Sequence, residues 1–186
     1  MNKAIHGAFR RDLDRFVGAL TDFPAGTRQR AQQLATAWAN FEDQLTHHHH
    51  GEHTIACPHL EAVGVSSTLL ATMDAEHDTM AAALSETSQT MSALVRDPSA
   101  TAAQSALDAM QQLRTVTEAH LDHEESEIES VYLQNREHPE IKAMGKKFAK
   151  VSPARGGRFF AWMLDGATPD QRAAVSDGVP GPVLSV

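Results

Sequence analysis

Leu34, Trp38, Phe41 and Leu45 advance along the chain by four, three and four residues, and the same rhythm runs on into His48, Glu52 and Ile55. That spacing marks one helix face turned toward a core. A histidine and a carboxylate therefore continue the apolar stripe. Three other segments repeat the pattern: His6, Phe9, Leu13, Phe16, Leu20; then Leu70, Met73, His77, Met80, Leu84; then Met110, Leu113, Thr117, His120, Glu124, Val131. Buried imidazoles and carboxylates are costly unless they are paired or hold a metal. Helical residues four apart have Cβ atoms ~5–6 Å from one another, so His48 with Glu52, and His120 with Glu124, can each grip an ion from a single helix. Two such pairs point to a two-metal centre.

Punctuation divides the chain into four long helical segments. The first is expected over about Lys3 to Asp22, stopped by Pro24-Ala-Gly26, and the second over about Thr27 to Cys57, closed by Pro58. The third starts near Ser66 and ends before Asp97-Pro98; the fourth runs from about Ser99 to Gln134, before His138-Pro139. With no alternating stretch long enough for a strand, the expected fold is all-α, an antiparallel up-down-up-down bundle over residues 1–137. Residues 138–186 form a helical or irregular extension packed on it.

Height along the bundle tests this arrangement. Gly26 lies 20 residues after His6 and 22 before His48, and Pro98 lies 21 after His77 and 22 before His120. At ~1.5 Å rise per residue all four histidines reach one level, ~30 Å from the opposite turns. The candidate ligands are therefore His6, His48, Glu52, His77, His120 and Glu124, with a buried hydrogen-bonded network as the duller alternative.

The formal charge of −8 argues against binding a phosphate backbone, and no apolar run approaches the ~20 residues of a membrane span. The first residues lack the apolar stretch of a signal peptide, and the single Cys57 leaves no internal disulfide, so the cytoplasm is the expected compartment.

The ordered set His6, His48-x-x-x-Glu52, His77, His120-x-x-x-Glu124 resembles the hemerythrin-like (HHE cation-binding) family, in particular its actinobacterial and mycobacterial branch. The resemblance spans about residues 3–134, and the phrase Phe160-Ala-Trp162-Met-Leu-Asp165 is similar to the tail of actinobacterial relatives. It implies a four-helix bundle around two iron ions, oxo- or hydroxo-bridged, with Glu52 and Glu124 as bridging carboxylates. Oxygen-carrying members place two histidines four apart on the third helix, where this chain has Met73 before His77, and an aspartate five residues after the fourth helix's histidine, where it has Glu124 and Glu125 at four and five. One nitrogen ligand is missing, which speaks against reversible oxygen transport. Relatives of the mycobacterial branch decompose hydrogen peroxide and react with nitric oxide.

The flanking histidines His47, His49, His50, His53 and His123 are expected to be solvated or to support the ligands, with His49 or His123 able to substitute if the helical phase slips. Cys57, four residues from His53, is expected to pack rather than bind metal. Met73 and Met80 should line the pocket, Tyr132 should lie beyond the metal layer, and Glu125, Glu127 and Glu129 should form a solvated face. After Pro139, Lys142, Lys146, Lys147, Lys150, Arg155 and Arg158 form a basic run expected to fold back on the acidic bundle, with Phe159, Phe160, Trp162 and Leu164 covering an apolar seam or the metal end.

The expected function is a di-iron oxidoreductase that handles hydrogen peroxide or nitric oxide, catalase-like or peroxidase-like, as monomer or homodimer. Two alternatives stand beside it: a module that senses or stores dioxygen, nitric oxide or iron without turnover, and a zinc protein on the same bundle, since histidine and carboxylate suit zinc equally.

Overall fold

Each apolar stripe forms a helix. In the computed structural model, which describes residues 2–176, α1 spans Asn2–Thr21, α2 Arg28–Gly51, α3 Cys57–Ala62, α4 Ser67–Arg96 and α5 Ala100–Glu127. The side chains of Ser66 and Ser99 cap α4 and α5 by accepting from the Leu69 and Ala102 amides, each at 3.2 Å. Helix α1 packs on α2 and α5, and α4 packs on α2 and α5, which closes the ring of an antiparallel bundle. At the far end Gly26, at φ +84°, donates its amide to the Pro98 carbonyl at 2.6 Å, tying the two distal turns together.

The second segment departs from its expected end. Pro58 does not close it: the chain continues through a π-helical turn, Glu52–Ala56, and resumes as α3 with Pro58 in its first turn. A proline inside a helix cannot donate to the carbonyl four residues back, and its ring crowds that carbonyl. The wider turn absorbs the misfit, with the Cys57 amide bonding to the Glu52 carbonyl five residues back. The fourth segment likewise breaks at Ile128, α5 giving way to α6 (Glu129–Asn135).

Two apolar clusters result. The larger contains Phe9, Leu13, Phe41, Leu45, Met80, Met110 and Leu113, all essentially buried, each worth about 1.5–3 kcal/mol of transfer free energy. The smaller contains Ala56, Leu60, Val65, Met73, Ile128 and Met144. Along α2, α4 and α5 the inward histidines and carboxylates fall between the two, so an apolar floor and an apolar roof enclose one polar layer.

Three further helices follow: α7 Pro139–Phe148, α8 Pro153–Leu164 and α9 Pro169–Ser176. Helix α7 sits on α3 and the π turn, with His59 Nδ1 2.6 Å from Glu140 and the Phe148 ring pressed against Gly51. Helices α8 and α9 pack on α1, where the Trp162 ring lies 5.0 Å from Phe9 and its Nε1 donates to Asp12 at 2.7 Å. The aromatic residues of α8 thus cover an apolar seam along α1. Of the basic run, Arg155 meets Asp43 of α2 at 3.2 Å, Lys142 pairs with Glu137 at 2.7 Å, and Lys146, Lys147, Lys150 and Arg158 are exposed. Residues 177–186, the end of the expected extension, lie outside the described residues. No helix among those described is long and apolar enough to cross a membrane.

Candidate metal centre

The six residues singled out by phase and height meet in the polar layer, and a seventh, His49, joins them. Four donor atoms, from His6, His48, Glu52 and Glu124, lie within 4.8 Å of one another; so do four from His49, Glu52, His77 and His120. Glu52 belongs to both groups. Its Oε1 is 3.0 Å from His48 Nε2 and its Oε2 is 3.3 Å from His77 Nε2, so the two oxygens face different clusters. Glu124, expected to span both, belongs to the first group alone, its Oε2 3.1 Å from His6 Nε2.

His49 was expected among the flanking residues, yet its ring stacks on His77 with centroids 4.5 Å apart and an interplanar angle of 21°. It brings a third imidazole to the group with His77 and His120, on the side where Met73 leaves a nitrogen missing. Met73 belongs to the smaller apolar cluster.

Within the layer several histidines and carboxylates meet at 3.0–3.3 Å, but not in hydrogen-bond alignment. His6 Nε2, His48 Nε2, His49 Nε2, both oxygens of Glu52 and Glu124 Oε2 are all buried without an aligned hydrogen-bond partner. Among the described residues His49 Nε2 has neither an aligned hydrogen bond nor an ion pair, and a buried group left so costs on the order of 1–3 kcal/mol. His77 Nε2 and His120 Nε2 also face each other at 3.1 Å. Bare nitrogens and carboxylate oxygens converging in this way fit metal ions, and the donor set suits iron or zinc.

Outer carboxylates fix the rings. Glu125 accepts from His6 Nδ1 and from Arg10, both at 2.8 Å, and Glu76 accepts from His120 Nδ1 at 2.9 Å and His123 Nδ1 at 2.8 Å. With Nδ1 donating, Nε2 of His6 and of His120 is left bare toward the centre. Asn2 donates to Glu124 Oε1 at 3.1 Å. Glu125 is therefore half-buried and engaged, not part of a solvated acidic face.

Electrostatics follows the same division. Burial opposes a charge on Glu52, but the surrounding histidines outweigh it and hold its carboxyl well below the usual range. Burial, reinforced by His48, pushes His49 well below its ordinary value, and burial also lowers His120 against the pull of Glu76. For His6, burial is outweighed by the Glu124 and Glu125 contacts, and its value is raised.

The remaining candidates play other parts. His53 pairs with Asp74 at 2.7 Å, and half-buried Cys57, which joins neither donor group, has its thiol pushed up to about 11 by burial and the Asp74 charge. Tyr132 packs at the smaller cluster, its phenol raised by burial and by the Glu124 and Glu52 charges. Sequence reading missed Glu76 and Asp74; for Glu76 a signal existed, since Met73, Glu76 and Met80 step by three and four along the same stripe.

No curated protein and no solved structure matches this chain. The family model for the hemerythrin HHE cation-binding domain matches residues 3–132, which cover the bundle and every donor of the two groups. The chain belongs to the hemerythrin HHE cation-binding family.

Proposed function

We propose that the bundle holds two iron ions, one between His49, His77, His120 and Glu52 and the other between His6, His48, Glu124 and Glu52, and that it consumes hydrogen peroxide or nitric oxide in a catalase-like or peroxidase-like reaction. The observation that carries this reading is the pair of convergent His/Glu donor groups sharing one buried carboxylate. A bound iron pair supplies Lewis acidity and two electrons through its ferrous and ferric states.

The protein's own residues prepare that chemistry. Glu52 stays anionic and faces both groups, while Glu125 and Glu76 orient His6 and His120 through their Nδ1 atoms. Half-buried Glu76 also joins His120 to His123, giving peroxide turnover a place to take up and return a proton. On the α1 side, Phe9 stands 5.2 Å from the His48 ring with Trp162 behind it, keeping water from that flank. In catalase-like turnover one peroxide is reduced to water while another is oxidised to dioxygen, so no outside reductant is needed.

Iron-loaded protein is expected to evolve dioxygen from hydrogen peroxide or to consume nitric oxide when peroxide is present. Absence of both activities would leave a binding module. The same donor set accommodates zinc, and purified protein containing two zinc ions and no iron would overturn the iron assignment.

A further inference from the structure

The two donor groups differ in how they meet solvent. A groove of about 400 Å³ runs between α2 and α4, and its wall includes His49 and His77, both members of one donor group. Farther out it is lined by His50, His53, Asp74 and Asp78, all but half-buried Asp74 being exposed; Leu45 and Met80 are among its apolar residues. Among the described residues no lysine or arginine lines it. A larger groove of about 640 Å³ on the same two helices is bordered by Glu42, Ser88 and Arg96, and among the described residues neither a histidine nor a member of the centre lines it.

The lining chemistry selects a kind of visitor. Hydrogen peroxide and nitric oxide are neutral and feel no long-range attraction to two carboxylates at the wall, whereas a divalent cation is drawn by the charge and exchanges its waters for carboxylate oxygen and imidazole nitrogen. The donors are also graded inward. His53 Nδ1 lies 2.7 Å from Asp74 Oδ1, Asp74 Oδ1 lies 3.9 Å from His77 Nδ1, and His77 Nε2 lies 3.3 Å from Glu52 Oε2. At the inner end His49 presents a buried Nε2 with no hydrogen-bond partner among the described residues. Asp74 stands between the exposed imidazole of His53 and a ring of the centre, and it lies in the wall of the groove.

We propose that this groove is the loading route for the metal, and that His53, Asp74 and Asp78 form a transient capture site for ferrous iron, which passes inward to His77 and His49. The proposal rests on the two-metal reading of the centre and adds the path by which the centre fills. Capture exchanges the contact between His53 and Asp74 for contacts to the ion, and transfer inward restores that contact. The first ion enters the His49 group, and the group beside α1 fills through Glu52, which faces both.

The test follows uptake of ferrous iron by the metal-free full chain, without oxygen, by rapid mixing. The double variant His53→Ala with Asp74→Asn should take up iron about tenfold more slowly or worse, with a weaker dependence on salt, yet end with the same two ions per chain and the same absorption spectrum as wild type. Glu86→Gln, on an exposed part of α4 outside the groove, controls for the loss of a charge and should load at the wild-type rate. The single Asp78→Asn variant, at an exposed position, should show a smaller slowing in the same direction even if the double variant folds poorly. Loading as fast as the control would overturn the route. So would an endpoint of fewer than two ions, which would make these residues ligands instead. Wild-type protein that takes up no metal would instead bring down the two-metal reading itself, and the route with it.

Discussion

The two donor groups share Glu52 and differ in almost everything else. The group beside α1 (His6, His48, Glu124) has two imidazoles and is shut in by Phe9, Trp162 and the Glu125–Arg10 pair, whereas the group beside α4 (His49, His77, His120) has three imidazoles and borders an open groove. Nearly equal height along four helices therefore does not make two equal sites. The asymmetry comes from which helix has cover: α8 and α9 lie on α1, and the groove lies between α2 and α4.

Removing the shared carboxylate is the harshest way to break this comparison. Glu52→Ala should abolish stoichiometric binding at both positions, measured as metal per chain after gel filtration, and a variant that keeps two ions would show that Glu52 bridges nothing. Next in size, His49→Ala and His6→Ala should each retain one ion, because each leaves the opposite group whole; if His49→Ala still held two, the three-imidazole description of the α4 side would fail. Smaller effects belong to the carboxylates that orient the rings. Glu76→Gln and Glu125→Gln should each weaken one ion by roughly 10–100-fold, seen by competition with a chelator, with the α4-side ion affected in the first and the α1-side ion in the second.

A pH titration gives the mildest effect and sharpens the contrast further. In the metal-free protein the raised His6 value means that its charged form stabilises the fold fully below about 6.5, and that this contribution is lost as pH rises through the raised folded value. Metal needs the neutral ring, so below the raised His6 value uptake at the α1 side expels a proton and weakens as pH falls. His49 and His120 are shifted the other way and stay bare to lower pH. The ion retained by His49→Ala should accordingly be released at higher pH than the ion retained by His6→Ala. Release in the reverse order would contradict this electrostatic division.

Much of this architecture was legible in the sequence because burial imposes a period. The stripes of Phe9 to Leu20 and of Leu34 to Leu45 carry straight into His6 and His48, and counting from Gly26 and Pro98 sets the layer's height. His49 escaped because helical phase admits only one of two adjacent residues to a narrow stripe. The π turn that begins at Glu52 departs from that phase, and Pro58, read as a stop, is its sequence mark. Glu125 escaped for a different reason: a carboxylate one position off the stripe has the same pattern as a solvated one until its partner is known. The small apolar cluster beyond the layer was hidden as well, being assembled from α3, α4, the Ile128 break and α7, none of which carries a long stripe there.

The metal content of the protein is the decisive quantity. Protein purified without added chelator, or metal-free protein reconstituted with ferrous iron, should hold two iron ions per chain and, once oxidised, absorb in the near ultraviolet as a ferric pair does. One ion or none, or two ions retained by Glu52→Ala, would contradict a two-ion centre shared through Glu52.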